Sequence, residues 1–219
     1  MKKYSVNRSR ARNVVTWVLS LLMIAAGVAL IASFFLAGRL DSTATNSDNP
    51  GGFNVPKLQT APADENTSST GPDDKTLELT VPAMSRIEND DIPYTTGTDE
   101  EALKTHAAIH LEGTGFPWDD EANVYIAGHR LGYPSTESWL TFWDLNEVGV
   151  GDKIYVTDAN GTKYTYRVFK TFIVNPSDTH VTQTEPGKNI LTLQTCTLPD
   201  YKQRLIVQSE LTDTQTKQA

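Results

Sequence analysis

Residues 152–169, DKIYVTDANGTKYTYRVF, decide the fold. Both halves are rich in β-branched and aromatic side chains, which favour extended backbone, and Ala159-Asn160-Gly161 between them is a tight-turn signal. The segment therefore reads as a β-hairpin. Downstream, TFIVN (171–175), NILTLQT (189–195) and RLIVQSEL (204–211) are further apolar runs of strand length. Upstream, LELTV (77–81) places Leu77, Leu79 and Val81 in alternation, and AAIHL (107–111) and NVYIAGH (123–129) follow. WLTFWDL (139–145) differs: Trp139, Phe142 and Trp143 stand at helical spacing, which predicts a short helix covering the core. About eight strands separated by turn signals predict a mainly β fold, a closed or nearly closed eight-stranded barrel with few short helices.

The chain around this segment is uneven. Its 219 residues carry 19 Lys+Arg and 27 Asp+Glu, a net charge of −8. Residues 1–13 (MKKYSVNRSRARN) hold Lys2, Lys3, Arg8, Arg10 and Arg12 and no acidic residue, so everything beyond them is more acidic still. An acidic surface does not suit phosphate backbones, which excludes a nucleic-acid partner. One cysteine in the whole chain excludes an intrachain disulfide and a multi-cysteine zinc site.

Residues 14–37 run without a charged side chain. A bilayer core takes about 20 apolar helical residues, whereas the apolar part of a cleaved signal is about 7–15. The expectation is an uncleaved N-terminal transmembrane helix over 14–38, with the basic tail 1–13 in the cytoplasm and the remainder outside. Residues 39–75 are rich in Ser, Thr, Asn, Asp, Pro and Gly and read as a flexible extracytoplasmic linker. Residues 76–212 are expected to be the folded domain and 213–219 a polar tail.

Cys196 closes an apolar strand where a loop begins. A lone cysteine is most often a small buried hydrophobe, but an idle thiol outside the cell is open to oxidation and mispairing. A thiol attacks as thiolate and needs a proton acceptor or a positive neighbour. Of four histidines, His129 ends a strand beside Gly128 and is the best-placed candidate; His106, His110 and His180 are less so. Arg204 opens the next strand, and the intervening loop can fold back to bring it to the thiol. Arginine does not act as a base; its fixed donors suit an oxyanion or a substrate carbonyl. From spacing alone, Arg204 as a surface ion pair and His129 as a structural histidine stay open.

Ala127-Gly128-His129-Arg130, Thr192-Leu193-Gln194-Thr195-Cys196 and Arg204-Leu205-Ile206-Val207 together resemble the sortases, over about residues 76–212. The resemblance implies an eight-stranded β-barrel cysteine transpeptidase on Gram-positive surfaces. Such an enzyme cuts an LPxTG-like sorting signal of a secreted protein between Thr and Gly through a thioester. It passes the acyl group to an amine acceptor, on a cell-wall precursor or a pilin lysine. By motif position, Cys196 is nucleophile, His129 acid/base and Arg204 stabiliser of the transition state; Thr195 and Gly128 lie at the substrate. The N-terminal anchor and Ala-Gly-His-Arg look like class E or class D. Asp91-Ile92-Pro93-Tyr94 is near the lid motif of pilin-building class C members but carries an extra Ile.

With ordinary pKa values of about 8.5 and about 6.5, roughly 3% of thiols and roughly 25% of imidazoles are charged at pH 7, so the reactive ion pair is scarce without help from the site. No cofactor is expected. Asp119, Asp120 and Glu121 offer calcium-type ligands without calcium-ligand spacing and read as a solvated loop. Arg130 is expected to pair with a carboxylate, His110 to make a core hydrogen bond, and loop 175–189 to wall the substrate groove. The competing readings are a surface cysteine protease that hydrolyses its substrate and a tethered, non-catalytic binding module.

Overall fold

The order of the strands in the sheet is fixed by where the chain can turn tightly and where it must cross over. The structure, a computed structural model, describes residues 71–217 together with Trp17, Ser20, Leu21, Met23, Ile24 and Ala25. The chain divides into two units, Met1–Asn46 and Ser47–Ala219. In the first, those six residues are helical and Trp17, Leu21, Met23 and Ile24 are exposed. Among the described residues no helix is long and apolar enough to cross a membrane. The rest of the expected span 14–38, the tail 1–13 and linker residues 39–70 lie outside the described residues.

The second unit carries nine strands: β1 (Leu77–Thr80), β2 (Asp90–Ile92), β3 (Tyr94–Thr95), β4 (Ile109–Leu111), β5 (Asn123–Ala127), β6 (Lys153–Asp158), β7 (Lys163–Val174), β8 (Ile190–Cys196) and β9 (Arg204–Gln215). They form one sheet in the order β2-β1-β6-β7-β9-β8-β5-β4-β3. Its two edges, β2 and β3, are joined through Pro93 alone. Proline has no N–H to continue a ladder, so the ribbon changes partner there, from β1 on one side to β4 on the other. The Pro93 carbonyl accepts from His110 N at 2.9 Å. The sheet is thereby brought round into a nearly closed barrel.

The expected count of eight strands is corrected in two ways. TKYTYRVF and TFIVN form a single 12-residue strand, β7, because the irregularity at Phe169 is a shift of register against β9 and not a turn. The very short β2 and β3 carry too few apolar residues to show alternation. The seam formed by Asp91-Ile92-Pro93-Tyr94 also shows that this stretch is barrel wall. The β6–β7 hairpin is as expected: Asp158 Oδ1 accepts from the N–H groups of Asn160 and Thr162, both at 2.9 Å, and Gly161 takes φ +79°.

Alternation along β5 and β8 splits the apolar side chains between two clusters. Val124, Ile126, Leu191 and Leu193 pack with Leu79 and Val156 inside the barrel. Tyr125, Ala127 and Cys196 face outward, with Ile206 and with Leu103 of the short helix Glu100–Thr105. Asp99 caps that helix by accepting from Ala102 N at 3.0 Å.

The expected helix over WLTFWDL is replaced by successive turns ending in a 3-10 turn, Leu145–Glu147. Leu140 takes φ +59°, a left-handed conformation that interrupts a right-handed helix. Of the aromatic stripe only Phe142 is in the core; Trp139 and Trp143 are 36% and 37% exposed. Phe142→Ala should cost about 3–5 kcal/mol of stability. Urea unfolding measures it, and a loss below about 1 kcal/mol would contradict a core role.

Candidate active site

Parallel pairing of β5 with β8 sets Tyr125 beside Thr192 and Ala127 beside Gln194. The register carries on past the end of β5, where Gly128 N donates to Gln194 O at 3.0 Å. His129 therefore comes to the level of Cys196 on the same face, adjacent strands in a sheet being about 4.8 Å apart. On the other side of β8, the antiparallel hairpin with β9 sets Arg204 opposite Cys196. Tyr201 N donates to Thr197 O and Thr197 N to Gln203 O, at 3.1 and 3.0 Å, which folds loop 197–203 back as the sequence required. The structure thus brings His129, Cys196 and Arg204 into one row across three neighbouring strands.

Thr195 points to the opposite face. Its hydroxyl donates to Gly128 O at 2.8 Å, which ties the ends of the two strands together. Gly128 has to be glycine: a Cβ there would fall inside the ring of Phe142 and 3.1 Å from Ala107 O.

All three side chains of the row are covered: His129 is 3%, Cys196 1% and Arg204 2% exposed. Burial governs their charge. It holds the His129 imidazole down at about 4. It pushes the Cys196 thiol above its ordinary value, opposed by the guanidinium charges of Arg204 and Arg130. In the covered state both thiol and imidazole are thus neutral at pH 7. Arg204 Nη1 donates to the carbonyls of Tyr201 and Gln203, both at 3.1 Å. The ring of His129 meets that of Tyr133 edge-on, centroids 5.6 Å apart.

The remaining candidates separate cleanly. Arg130 is buried, its Nη2 donates to Asn146 Oδ1, and its guanidinium lies 5.9 Å from the Trp143 ring. The expected carboxylate partner is thus replaced by an amide, with the charges of Asp144 and Glu147 favouring the cation from further off. His110 is fully buried on β4 and its Nε2 lies 3.0 Å from Gly115 O, the core hydrogen bond expected of it. Asp119 accepts from Phe116 N and Glu121 from Gly187 N, at 2.9 and 2.8 Å. Among the described residues no cluster of His, Cys, Asp and Glu could hold a metal ion. Loop 175–189 lies against the outer face of the sheet, where Asn123 Nδ2 donates to the carbonyls of Val181 and Gln183, both at 2.9 Å. Sequence reasoning passed over Gln194, which lies next to the row on the same face; the signal was an amide within the apolar run NILTLQT.

A barrel that presents a thiol between an imidazole and a guanidinium has the groups that cysteine-dependent acyl transfer uses. The family model described as the Sortase domain matches residues 79–212, and the chain belongs to the sortase family. Sortase A of Streptococcus agalactiae is 30% identical over 138 residues, which cover 63% of this chain and 50% of that protein. The match therefore spans half the length of that relative. Among solved structures, sortase C of Streptococcus pneumoniae superimposes with TM-score 0.56 at 26% identity, covering 67% of this chain and 73% of that one. Sortase A of Corynebacterium diphtheriae, a lid mutant, gives TM-score 0.54 at 27% identity, covering 63% and 70%.

The charge states carry two measurable consequences. Alkylation of Cys196 by iodoacetamide, followed by mass spectrometry, should be slow at pH 7 and still be rising at about pH 9; a plateau below about pH 8 would contradict the raised thiol. Histidines 129 and 110 are both depressed, to about 4 and about 3. Between these values and the unfolded value of about 6.5 the unfolded chain binds more protons than the folded one. Their contribution to stability is therefore complete above about pH 6.5 and is lost as pH falls from there to about 4 for His129 and about 3 for His110. Thermal unfolding against pH should show this slope, and His129→Gln should flatten part of it.

Proposed function

We propose that this chain is a membrane-anchored cysteine transpeptidase of the sortase type. On this reading it cleaves an LPxTG-like sorting signal of a secreted protein between Thr and Gly and transfers the acyl group to an amine on the cell wall. The observation that carries the reading is the row His129–Cys196–Arg204 across β5, β8 and β9. The membership of the family supports the same chemistry.

The thiolate of Cys196 attacks the Thr carbonyl carbon. A C–S bond forms, and the C–N bond to Gly breaks once His129, as imidazolium, has protonated the leaving amine. The incoming amine then gives its proton to neutral His129 and displaces the thiolate. Arg204 suits the developing oxyanion, since it already donates to two main-chain carbonyl oxygens. The row is covered, so the peptide must displace what covers it. Excluding water in that way favours transfer to an amine over hydrolysis. Thr195 and Gly128 act on the row indirectly, by fixing the two strand ends from the opposite face.

The anchor over 14–38 rests on the uncharged run and its basic flank, and places the domain on the outer side of the membrane. The use of Asp91–Tyr94 as barrel wall supports the housekeeping-type, class E-like or class D-like reading over a pilin-building one.

Incubation of the protein with LPxTG peptides and a peptide amine should give a thioester on Cys196 by mass spectrometry and an amide product. Cys196→Ala should abolish both, and turnover by that variant would reject the mechanism. Arg204→Ala should lower kcat/KM by about 10²–10³-fold, with a much smaller effect on Tm; parallel losses would mark Arg204 as scaffold. Release of acid alone, with amine in excess, would favour the protease reading.

A further inference from the structure

The outer face of β5, β8 and β9 holds successive rows of polar side chains behind the catalytic row. Furthest from it, their hydrogen bonds are spent within the protein. Thr192 Oγ1 donates to Asn123 Oδ1 at 2.8 Å, Gln208 Nε2 to Thr192 Oγ1 at 3.4 Å, and Asn123 Nδ2 to two carbonyls of loop 175–189. The row next to Cys196 is Ala127–Gln194–Ile206. Here Tyr125 OH donates to Gln194 Oε1, which fixes the orientation of the amide. Among the described residues Gln194 Nε2 then has no partner, although Gln194 is only 1% exposed. Buried donors are almost always paired, and this one stands in an otherwise apolar row, held in place by a tyrosine.

Gln194 precedes Cys196 by two residues, about 6.6 Å along the strand. An extended peptide has the same rise, and its carbonyls two residues apart point the same way. With the Thr carbonyl at the thiol and the peptide running parallel to β8, the carbonyl two residues earlier comes over Gln194. We propose that Gln194 Nε2 donates to the main-chain carbonyl of the third residue before the scissile bond, the proline of Leu-Pro-x-Thr-Gly, and so sets the register of the sorting signal on the enzyme. Tyr125 acts as the positioning residue that aims the amide. The inference rests on the transpeptidase reading above.

The test uses the full chain and two peptides: the all-amide signal, and one whose Pro–x amide is replaced by a trans-alkene, which removes the carbonyl. In the wild type the alkene should lower kcat/KM about fivefold, the worth of one neutral hydrogen bond. Gln194→Met, of similar volume, should lose about as much on the all-amide peptide and lose little more on the alkene. An unchanged kcat/KM in Gln194→Met, or the same further loss on the alkene in both proteins, overturns the inference. Should Gln194→Met fail to fold, Tyr125→Phe replaces it. The expected result is a higher KM for the all-amide peptide with kcat little changed, and an unchanged KM overturns the inference. These outcomes are distinct from failure of the underlying reading, which would show as no thioester on wild-type Cys196 with any signal peptide.

Discussion

The parallel pairing of β5 with β8 is the constraint on which the site depends. Side chains alternate along a strand, so a slip of one residue would turn Cys196 into the barrel and Thr195 out to the site. The register is held at the end that matters by two bonds, Gly128 N to Gln194 O and Thr195 Oγ1 to Gly128 O. Both use groups that carry no chemistry of their own, and both involve residues directly before the imidazole or the thiol in the chain. The close approach at Gly128 that admits Phe142 beneath it completes the lock, because the ring closes the space a slipped strand would need.

That precision has an electrostatic cost. The packing that fixes the row also removes water from it, and removal of water disfavours both charged partners of a thiolate–imidazolium pair. The two guanidiniums work against this on the thiol alone. The resting protein therefore holds this thiol in its neutral form. Reactivity must come with a change in what surrounds the row, through opening or through the substrate itself.

The strands with clear alternation and the β6–β7 hairpin were legible in the sequence because their signals are local. What was not legible is non-local. β2 and β3 are defined by their partners and not by their own few residues, and the joining of TKYTYRVF to TFIVN depends on β9 continuing past an irregularity at Phe169. The Trp139–Leu145 stretch has helical spacing, yet Leu140 at positive φ overrides it. For the site, spacing alone left His129 and Arg204 as one option among several, and the combined motifs singled them out. Gln194 escaped notice because an amide in a strand becomes informative only when its neighbours' hydrogen bonds are known.

His129 presents a further problem, since it lies beyond the last residue of β5. A side chain in a functional site has to be held to within about 0.5 Å of its working position, and for His129 on the proposed reading the following loop supplies the support. Leu140 N donates to Leu131 O at 2.9 Å, and Tyr133 N to Ser138 Oγ at 3.1 Å. Gly132, at φ +68°, lets the turn pass so close to Ser138 that a Cβ would overlap its carbonyl. Arg130 is pinned between Asn146 and Trp143, and Tyr133 meets the imidazole edge-on. The unusual φ of Leu140 belongs to the same arrangement, since it redirects the chain two residues before Phe142 enters beneath Gly128. The aromatic stretch is therefore more than a cover for the core: through Phe142 it fixes the residue before His129, and through Trp143 the residue after it.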